Sequence, residues 1–278
     1  MSDKLELSQA YKKGFAVTLL NVITFGDAFD LLPSISDASV DLIFSDPPYV
    51  TALKDLNDWN QGLDFGKLAE QFDRVLSNVG QICLFCDAMT FVEISNAFKD
   101  KFRFRFYYVW IKSSGQPVNG KMPISNVEII GVWAKKSVRI RDLTYNPQMM
   151  GGTAYRKLHR AGNLTRKKYH DYTTDNLTGD RYPVQTLFYP SKDNLPTDER
   201  TPHPTQKPLG LVGYLIQTLS NVGDLVCDPF AGSGSIPIAC HRLNRRFVAF
   251  EREKTFFQMA SERLKIEKSQ TNLFEVNP

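Results

Sequence analysis

The stretch "DLVCDPFAGSGSIPIACHRL", Asp224 to Leu243, places an apolar run, a loop with two glycines and an amphipathic stretch in that order. The run reads as a buried strand and "SIPIACHRLN" as a helix. A glycine-bearing loop between strand and helix is where open α/β sheets hold ligands, at the carboxyl ends of the strands. Gly232 and Gly234 allow tight turning and close approach by a ligand. A dinucleotide fingerprint needs Gly or Ala at position 237, where the chain has Pro237, and the G-K-[ST] of a phosphate loop is absent. The loop is therefore built for something smaller than a pyrophosphate. Asp228 ends this strand, and Glu251 ends the next, "RFVAFE". A carboxylate at that second strand tip is the usual acceptor for ribose hydroxyls, which points to a nucleoside ligand without a phosphate chain.

The same rhythm extends outward. "PLGLVGYLIQTLSNVG" precedes the loop as an amphipathic helix, and "KTFFQMASERLKIEK" follows it as the last helix. In the N-terminal third, "AVTLLNVITFGDA" reads as strand, turn and strand, and "SVDLIFSDPPY" as a buried strand with a sharp stop. Phe65, Leu68, Phe72, Val75 and Leu76 recur with helical spacing, and Gly80 is expected to close that helix. "QICLFCD", "AMTFVEISNAFKDK" and "FRFRFYYVWIKS" give strand, helix and strand, with "NVEIIGVWAKK" (Asn126–Lys136) as a further strand. Strand–helix–strand repetition predicts an α/β fold, a Rossmann-like, doubly wound, mostly parallel sheet. Both chain ends build it, as residues 1–136 and 201–278. Residues 137–200 are expected to form a loop-rich basic insertion, short of the large apolar residues a core needs.

If a nucleoside binds at one strand end, "SDPPYV" (Ser45–Val50) lies at another strand end of the same sheet. Two prolines fix φ at successive residues and remove backbone donors, so carbonyl acceptors dominate. Asp46 adds a carboxylate, again an acceptor, and Tyr49 a flat ring. A rigid acceptor pair beside an aromatic face suits a planar group bearing an NH₂, such as the exocyclic amine of a base.

Bulk properties narrow the choice. The chain has 278 residues, 42% hydrophobic and 23% charged, enough for one large domain with an insertion. It lacks a run of the roughly 20 apolar residues that would span a bilayer, and the polar start "MSDKLELSQAYKKG" is no secretory signal, so a cytoplasmic location is expected. Cys83 and Cys86 have C-x-x-C spacing, but they sit in a strand-like run, and Cys227 and Cys240 make no second close pair. All four read as small buried hydrophobes, with no metal site. Net charge is +4, yet Lys135–Lys168 holds ten basic residues and a single acid, Asp142, for +9 against −5 elsewhere. Charge gathered in one segment suits a surface that meets a polyanion.

With these motifs in order, the chain resembles the S-adenosylmethionine-dependent amino methyltransferases of DNA, in the permuted (beta) class whose catalytic tetrapeptide precedes the cofactor loop. "DPPY" (Asp46–Tyr49) resembles the catalytic motif, "DPFAGSG" (Asp228–Gly234) the F-x-G-x-G cofactor loop, and "RFVAFERE" supplies Glu251. "HPTQKP" (His203–Pro208) resembles the segment that opens the preceding helix. "FGD" (Phe25–Asp27) resembles the loop that meets the cofactor's adenine, and "VWIKS" around Trp110 and Lys112 the strand beside the target-base pocket. The resemblance covers about residues 20–135 and 203–265.

The resemblance implies a class I methyltransferase fold and a double-stranded DNA substrate whose target base leaves the helix. Asp46, Pro47, Pro48 and Tyr49 would be catalytic: Tyr49 stacks on the base, while the Asp46 carboxylate and Pro47 carbonyl accept from its amine. Asp46 would position and stabilise charge rather than act as a strong base. S-adenosylmethionine would be held by Asp27, Asp46, Asp228, Phe230, Ala231, Gly232, Ser233, Gly234 and Glu251, with Thr205 and Lys207 at the methionine carboxylate. Asp55, Asp58 and Trp59 would close over the base. Lys112, Arg139, Arg141, Arg156, Lys157, Arg160, Arg166, Lys167 and Lys168 would contact DNA. Within the family, Asp directly before Pro47 favours the N6 amine of adenine, and the alternative is the N4 amine of cytosine. Rival readings are an RNA amino methyltransferase, a nicotinamide oxidoreductase (disfavoured by Pro237) and a non-catalytic nucleic-acid-binding protein. A homodimer and a cognate restriction endonuclease are partners the resemblance leaves open.

Overall fold

Strand β2 (Val40–Ser45) is apolar on both sides, and its side chains alternate between two cores. Leu42 and Phe44 join one core with Leu211, Leu215 and Ile236, and Val40 and Ile43 join the other with Leu68, Phe72 and Phe98. A strand buried on both faces by helices is the signature of a doubly wound sheet. The computed structural model describes residues 19–49, 63–116, 121, 123–159 and 172–275, and the account below concerns those.

Around β2 lie β1 (Ile23–Phe25), α1 (Ala28–Leu31), α2 (Phe65–Val75), β3 (Leu76–Cys86), α3 (Ala88–Phe98), β4 (Phe102–Gln116) and β5 (Ser125–Lys135). After β6 (Tyr155–His159) and β7 (Tyr172–Asn176) come β8 (Thr186–Tyr189), α4 (Leu209–Leu219), β9 (Leu225–Asp228), α5 (Ser235–Arg242), β10 (Arg246–Glu251) and α6 (Lys254–Glu275). Among the described residues, eight strands form one sheet in the order β1-β10-β9-β2-β3-β5-β4-β8. β5 runs antiparallel to both neighbours, and the other pairings are parallel. From β9 the chain winds to β10 on one side, and from β2 it winds to β3 on the other. The order therefore reverses between β9 and β2, where doubly wound sheets open a ligand crevice. The register there, Leu42 opposite Val226 and Ile43 opposite Cys227, sets Ser45 and Asp228 side by side.

Two expectations change, and a third falls partly outside the described residues, at 16–18. The helix expected to end at Gly80 ends at Val75, and Leu76–Gly80 already belongs to β3. Leu76 pairs with Val40, and the register then shifts before Leu42 meets Gln81. A Cβ on Gly80 would lie 2.7 Å from Leu76 Cδ1 and 2.9 Å from the Val40 carbonyl, so Gly80 serves a close backbone approach in a bulge. Of "AVTLLNVITFGDA", the described part is a turn at residues 19–22 and strand β1. The expected insertion 137–200 is also narrower. The separate compact unit is 147–184, because β8 pairs with β4 and returns the chain to the main sheet.

Residues 147–184 are described by themselves. β6 and β7 form an antiparallel hairpin, Tyr155 opposite Asn176 through His159 opposite Tyr172. Asn176 ties its turn, accepting from Gly179 N and donating to the Asp180 carbonyl, both at 2.6 Å. The Arg181 guanidinium lies 4.4 Å from the Tyr155 ring centroid and donates to the Thr153 and Gly179 carbonyls. Among the described residues this unit adds no side chain to the buried apolar core.

Phe72 on α2 is fully buried and meets the edge of Phe98 at 6.2 Å. Phe72→Ala is expected to cost about 3–5 kcal/mol of unfolding free energy. Urea denaturation measures this, and a loss under about 1 kcal/mol would show that the site collapses without a cavity.

Candidate active site

The loop after β9 is fixed from below and from the side. Asp228 is 1% exposed; its Oδ1 accepts from Ser45 Oγ at 2.6 Å and from Phe230 N at 3.2 Å. Its Oδ2 has no hydrogen-bond partner among the described residues. Burial pushes the Asp228 carboxyl up to about 7; Ser45 and Phe230 N oppose the shift, and the Glu251 and Asp46 charges add to it. Glu251 Oε2 accepts from Gly232 N at 2.7 Å and Oε1 from Glu253 N at 2.8 Å. Burial raises Glu251 as well. Gly232 has φ +51°, and a Cβ there would stand 2.9 Å from His203 Nε2, so both backbone and space call for glycine. Gly234, at φ +77°, is the N-cap of α5.

The segment 203–208 packs over this loop. Gln206 orders it, accepting from Thr201 N and Oγ1 at 2.7 and 2.8 Å and donating to the Glu199 carbonyl at 2.8 Å. Ser235 Oγ donates to the Lys207 carbonyl at 2.9 Å. His203 lies 4.4 Å from the Phe256 ring centroid, and burial lowers it to about 4, helped by Lys207 and Lys192, so its imidazole is neutral at pH 7.

The loop after β2 brings four charged groups around one phenol. The Lys207 ammonium pairs with Asp46 Oδ2 and lies 3.4 Å from Glu128 Oε1, and Lys112 Nζ lies 3.3 Å from Glu128 Oε2. The Tyr49 hydroxyl is hydrogen-bonded to Glu128 Oε1 and, at 2.8 Å, to Asp46 Oδ1. Burial raises Asp46 and outweighs the lowering by Lys207; Glu128 adds to the rise. Burial would raise Glu128 too, but the Lys207 and Lys112 ammoniums hold it below its ordinary value. Burial works against the charged Lys207, and the two acids more than offset it, so Lys207 is raised. Burial, with both carboxylates, pushes the Tyr49 phenol up.

One cavity of about 690 Å³ joins the two loops, in the size range of ligand pockets. Its walls include Asp27, Asp46, Pro47, Pro48, Tyr49, Thr205, Lys207, Phe230, Ala231, Gly232, Ser233 and Glu251. Asp228 and Gly234 stand behind that wall as supports of the loop. Asp27 caps α1, accepting from Phe29 N at 2.9 Å, and lies 3.5 Å from Arg252 Nη1. Lys112 also lines the cavity, 5.0 Å from the Trp110 ring centroid, with its ammonium 3.3 Å from Glu128 Oε2. Arg139 and Arg141 are exposed beside Asp142, and Arg156 on β6 pairs with Asp175 at 3.1 Å, next to exposed Lys157. Arg160, Arg166, Lys167 and Lys168 lie outside the described residues, as do Asp55, Asp58 and Trp59. Glu128 is the residue that sequence reasoning missed. Its signal was an acid inside the apolar strand "NVEIIGVWA".

The sheet order and the crevice at its reversal are those of a class I methyltransferase. The solved M1.HpyAVI–SAM complex superposes with a TM-score of 0.57 at 26% identity, covering 87% of this chain and 98% of that one. The PvuII DNA methyltransferase, described as cytosine-N4-specific, matches with a TM-score of 0.58 over 89% of this chain and 91% of its own, and at 15% identity it speaks to the fold alone. The DNA methylase family model for N6 and N4 enzymes matches residues 40–262, and the chain belongs to that family. It is 28% identical over 261 residues to the Type II methyltransferase M.HpaI of Haemophilus parainfluenzae, covering 86% of this chain and 72% of that protein. It is 26% identical over 273 residues to the Type II methyltransferase M2.DpnII of Streptococcus pneumoniae, covering 90% and 91%. Among the described residues no helix is long and apolar enough to cross a membrane.

A carboxyl raised from 3.8 to about 7 on folding supports the fold fully below pH 4 and loses that support as pH rises through 7. Wild type is therefore expected to lose roughly 4 kcal/mol between pH 4 and pH 8 through this group. Asp228→Asn should flatten that part of the slope in urea denaturation at several pH values. An unchanged slope would show that Asp228 titrates near its unfolded value.

Proposed function

We propose that this DNA methyltransferase transfers the methyl group of S-adenosylmethionine to the N6 amine of adenine in a base turned out of double-stranded DNA. The observation that carries the reading is the 2.6 Å bond from Ser45 to Asp228, which sets the Asp46–Tyr49 acceptors and the glycine loop at one crevice. The wall fits the cofactor chemically. Asp27, Asp46 and Glu251 surround the cavity with buried Asp228 behind, which suits a cationic sulfonium, and the cavity has room for a nucleoside with an amino-acid arm. Glu251 would take the ribose hydroxyls, Asp27 the adenine, and the loop Phe230–Ser233 the methionine arm.

The bound cofactor supplies an electrophilic methyl group on a good leaving group. The protein's part is to make the amine ready. The Asp46 carboxylate and the Pro47 carbonyl accept the amine hydrogens, which keeps the nitrogen lone pair out of the ring. Asp46 stabilises the positive charge that develops on nitrogen as the methyl–sulfur bond would break and the sulfur leave as a neutral thioether, and the extra proton on nitrogen is lost afterwards. The Tyr49 ring is the stacking face, fixed at its hydroxyl by the two acids. Asp directly before Pro47 supports adenine over cytosine. The exposed Arg139, Arg141, Arg156 and Lys157, with the basic residues that follow them in sequence to Lys168, supply phosphate contacts, and a homodimer or a cognate endonuclease is consistent with the Type II relatives.

Incubation with S-adenosylmethionine and mixed-sequence duplex DNA, followed by nucleoside mass spectrometry, is expected to give N6-methyladenine. N4-methylcytosine would overturn the base assignment, and no methylated nucleoside in DNA would overturn the reading. Asp46→Ala should lower the methyl-transfer rate by about 10³-fold or more while cofactor affinity by calorimetry changes less than about tenfold. A near-normal rate would remove Asp46 from catalysis. Raising salt from about 50 to 200 mM should weaken DNA binding roughly 100-fold, as for about four neutralised phosphates. A flat salt response would rule out the basic segment as the DNA surface.

A further inference from the structure

Glu128 is 6% exposed on β5, in a strand whose Ile130, Val132 and Ala134 are apolar and fully buried. It nevertheless contacts three polar groups of the amine site: the Tyr49 hydroxyl, Lys207 at 3.4 Å and Lys112 at 3.3 Å. Lys207, equally buried, lies between two acids; its ammonium is on Asp46 Oδ2 and the Tyr49 hydroxyl on Oδ1, so both carboxylate oxygens are engaged before an amine arrives. Two acids and two ammoniums balance in charge. Taking Lys207 off Asp46 with no second acid nearby would strand a buried cation, which is strongly unfavourable.

On the amino methyltransferase reading above, we propose that Glu128 is a positioning residue of the target-amine site. It receives the Lys207 ammonium when the amine engages Asp46, and it holds the Tyr49 ring through its hydroxyl. The geometry already supplies the path, because Lys207 Nζ touches Asp46 Oδ2 and stands 3.4 Å from Glu128 Oε1. Phe85 offers the ammonium an aromatic face, its ring centroid 5.0 Å from Lys207 Nζ. Lys112 holds the other Glu128 oxygen and is itself braced over Trp110, so the receiving carboxylate stays ionised and in place. Trp110 is in turn held by its Nε1, which donates to the Tyr189 carbonyl at 3.0 Å.

The test uses the full chain, S-adenosylmethionine and duplex DNA carrying its methylation site. Glu128→Gln keeps size and hydrogen bonding but cannot neutralise Lys207. It should cut the single-turnover rate about 100-fold, with cofactor affinity within about threefold at a temperature where the variant is folded. A second variant separates positioning from mere packing. Lys207→Met in the Glu128→Gln background removes the stranded cation and frees Asp46, so at saturating cofactor it should recover at least about tenfold of the lost rate. A Glu128→Gln rate within about threefold of wild type overturns the inference, as does a double variant no faster than Glu128→Gln. A wild-type chain that methylates no DNA overturns the proposed function and this inference together, whereas an active wild type with either of those variant results overturns the inference alone.

Discussion

The hydrogen bond from Ser45 Oγ to Asp228 Oδ1 joins the last residues of β2 and β9 across the point where the sheet order reverses. Parallel pairing of Leu42 with Val226 brings the two strand ends level, and the serine hydroxyl converts that proximity into a bond between the two loops. Phe230 N donates to the same oxygen, so one carboxylate organises the strand end and the glycine loop together. "SDPPY" and "DPFAGSG" are thus one structural unit, although about 180 residues of chain separate them. Concentrating acids there is costly for each: burial raises Asp228, Glu251 and Asp46 alike. Asp46 offsets that cost by pairing with Lys207, while Asp228 and Glu251 are met by hydroxyl and backbone donors.

The second organising constraint is the single proton of Tyr49. Its hydroxyl lies within hydrogen-bond reach of both Asp46 and Glu128, so the two carboxylates share one donor. The surroundings divide the pair: two ammoniums hold Glu128 low, while burial raises Asp46. Groups pushed apart in this way take different parts, one a standing anion and the other able to change its partner or its proton. With Lys207 lying between the two carboxylates, this division is in keeping with the proposal that the amine goes to Asp46 and the cation to Glu128.

Local patterns made much of this visible in the sequence. The strand–loop–helix at 224–243, the acceptors of "DPPY" and the acid at Glu251 each depend on residues within a few positions, and each stands where its pattern implies. Gly80 misled because a glycine after a helical period signals a cap, whereas here the demand came from Val40 on another strand. The insertion was drawn too wide because β8 is four residues long and is defined by its partner β4, about 77 residues earlier. Glu128 and the engagement of Lys207 were hidden for the same reason. β5 enters between β3 and β4, Leu84 opposite Gly131 and Tyr108 opposite Ile130, and no local period reports where that places an acid.

Pro237 raised the question of what the glycine loop excludes, and the structure answers it through packing. A pyrophosphate site needs the N-terminus of its helix open, with backbone N–H groups facing the ligand. At α5 that approach is taken by the chain itself: Ser235 Oγ donates to the Lys207 carbonyl, and His203 stands against Gly232 where even a methyl group would clash. Arg263 closes the far side by donating to the Ser233 carbonyl at 3.0 Å. The loop presents Ala231, Gly232, Ser233 and Glu251 to the cavity, with Ser235 at the start of α5 beside them. Pro237 in place of a third glycine and the covering segment 203–207 thus act at one place, the start of α5, which packs against its own chain beside the cavity that reaches Asp46.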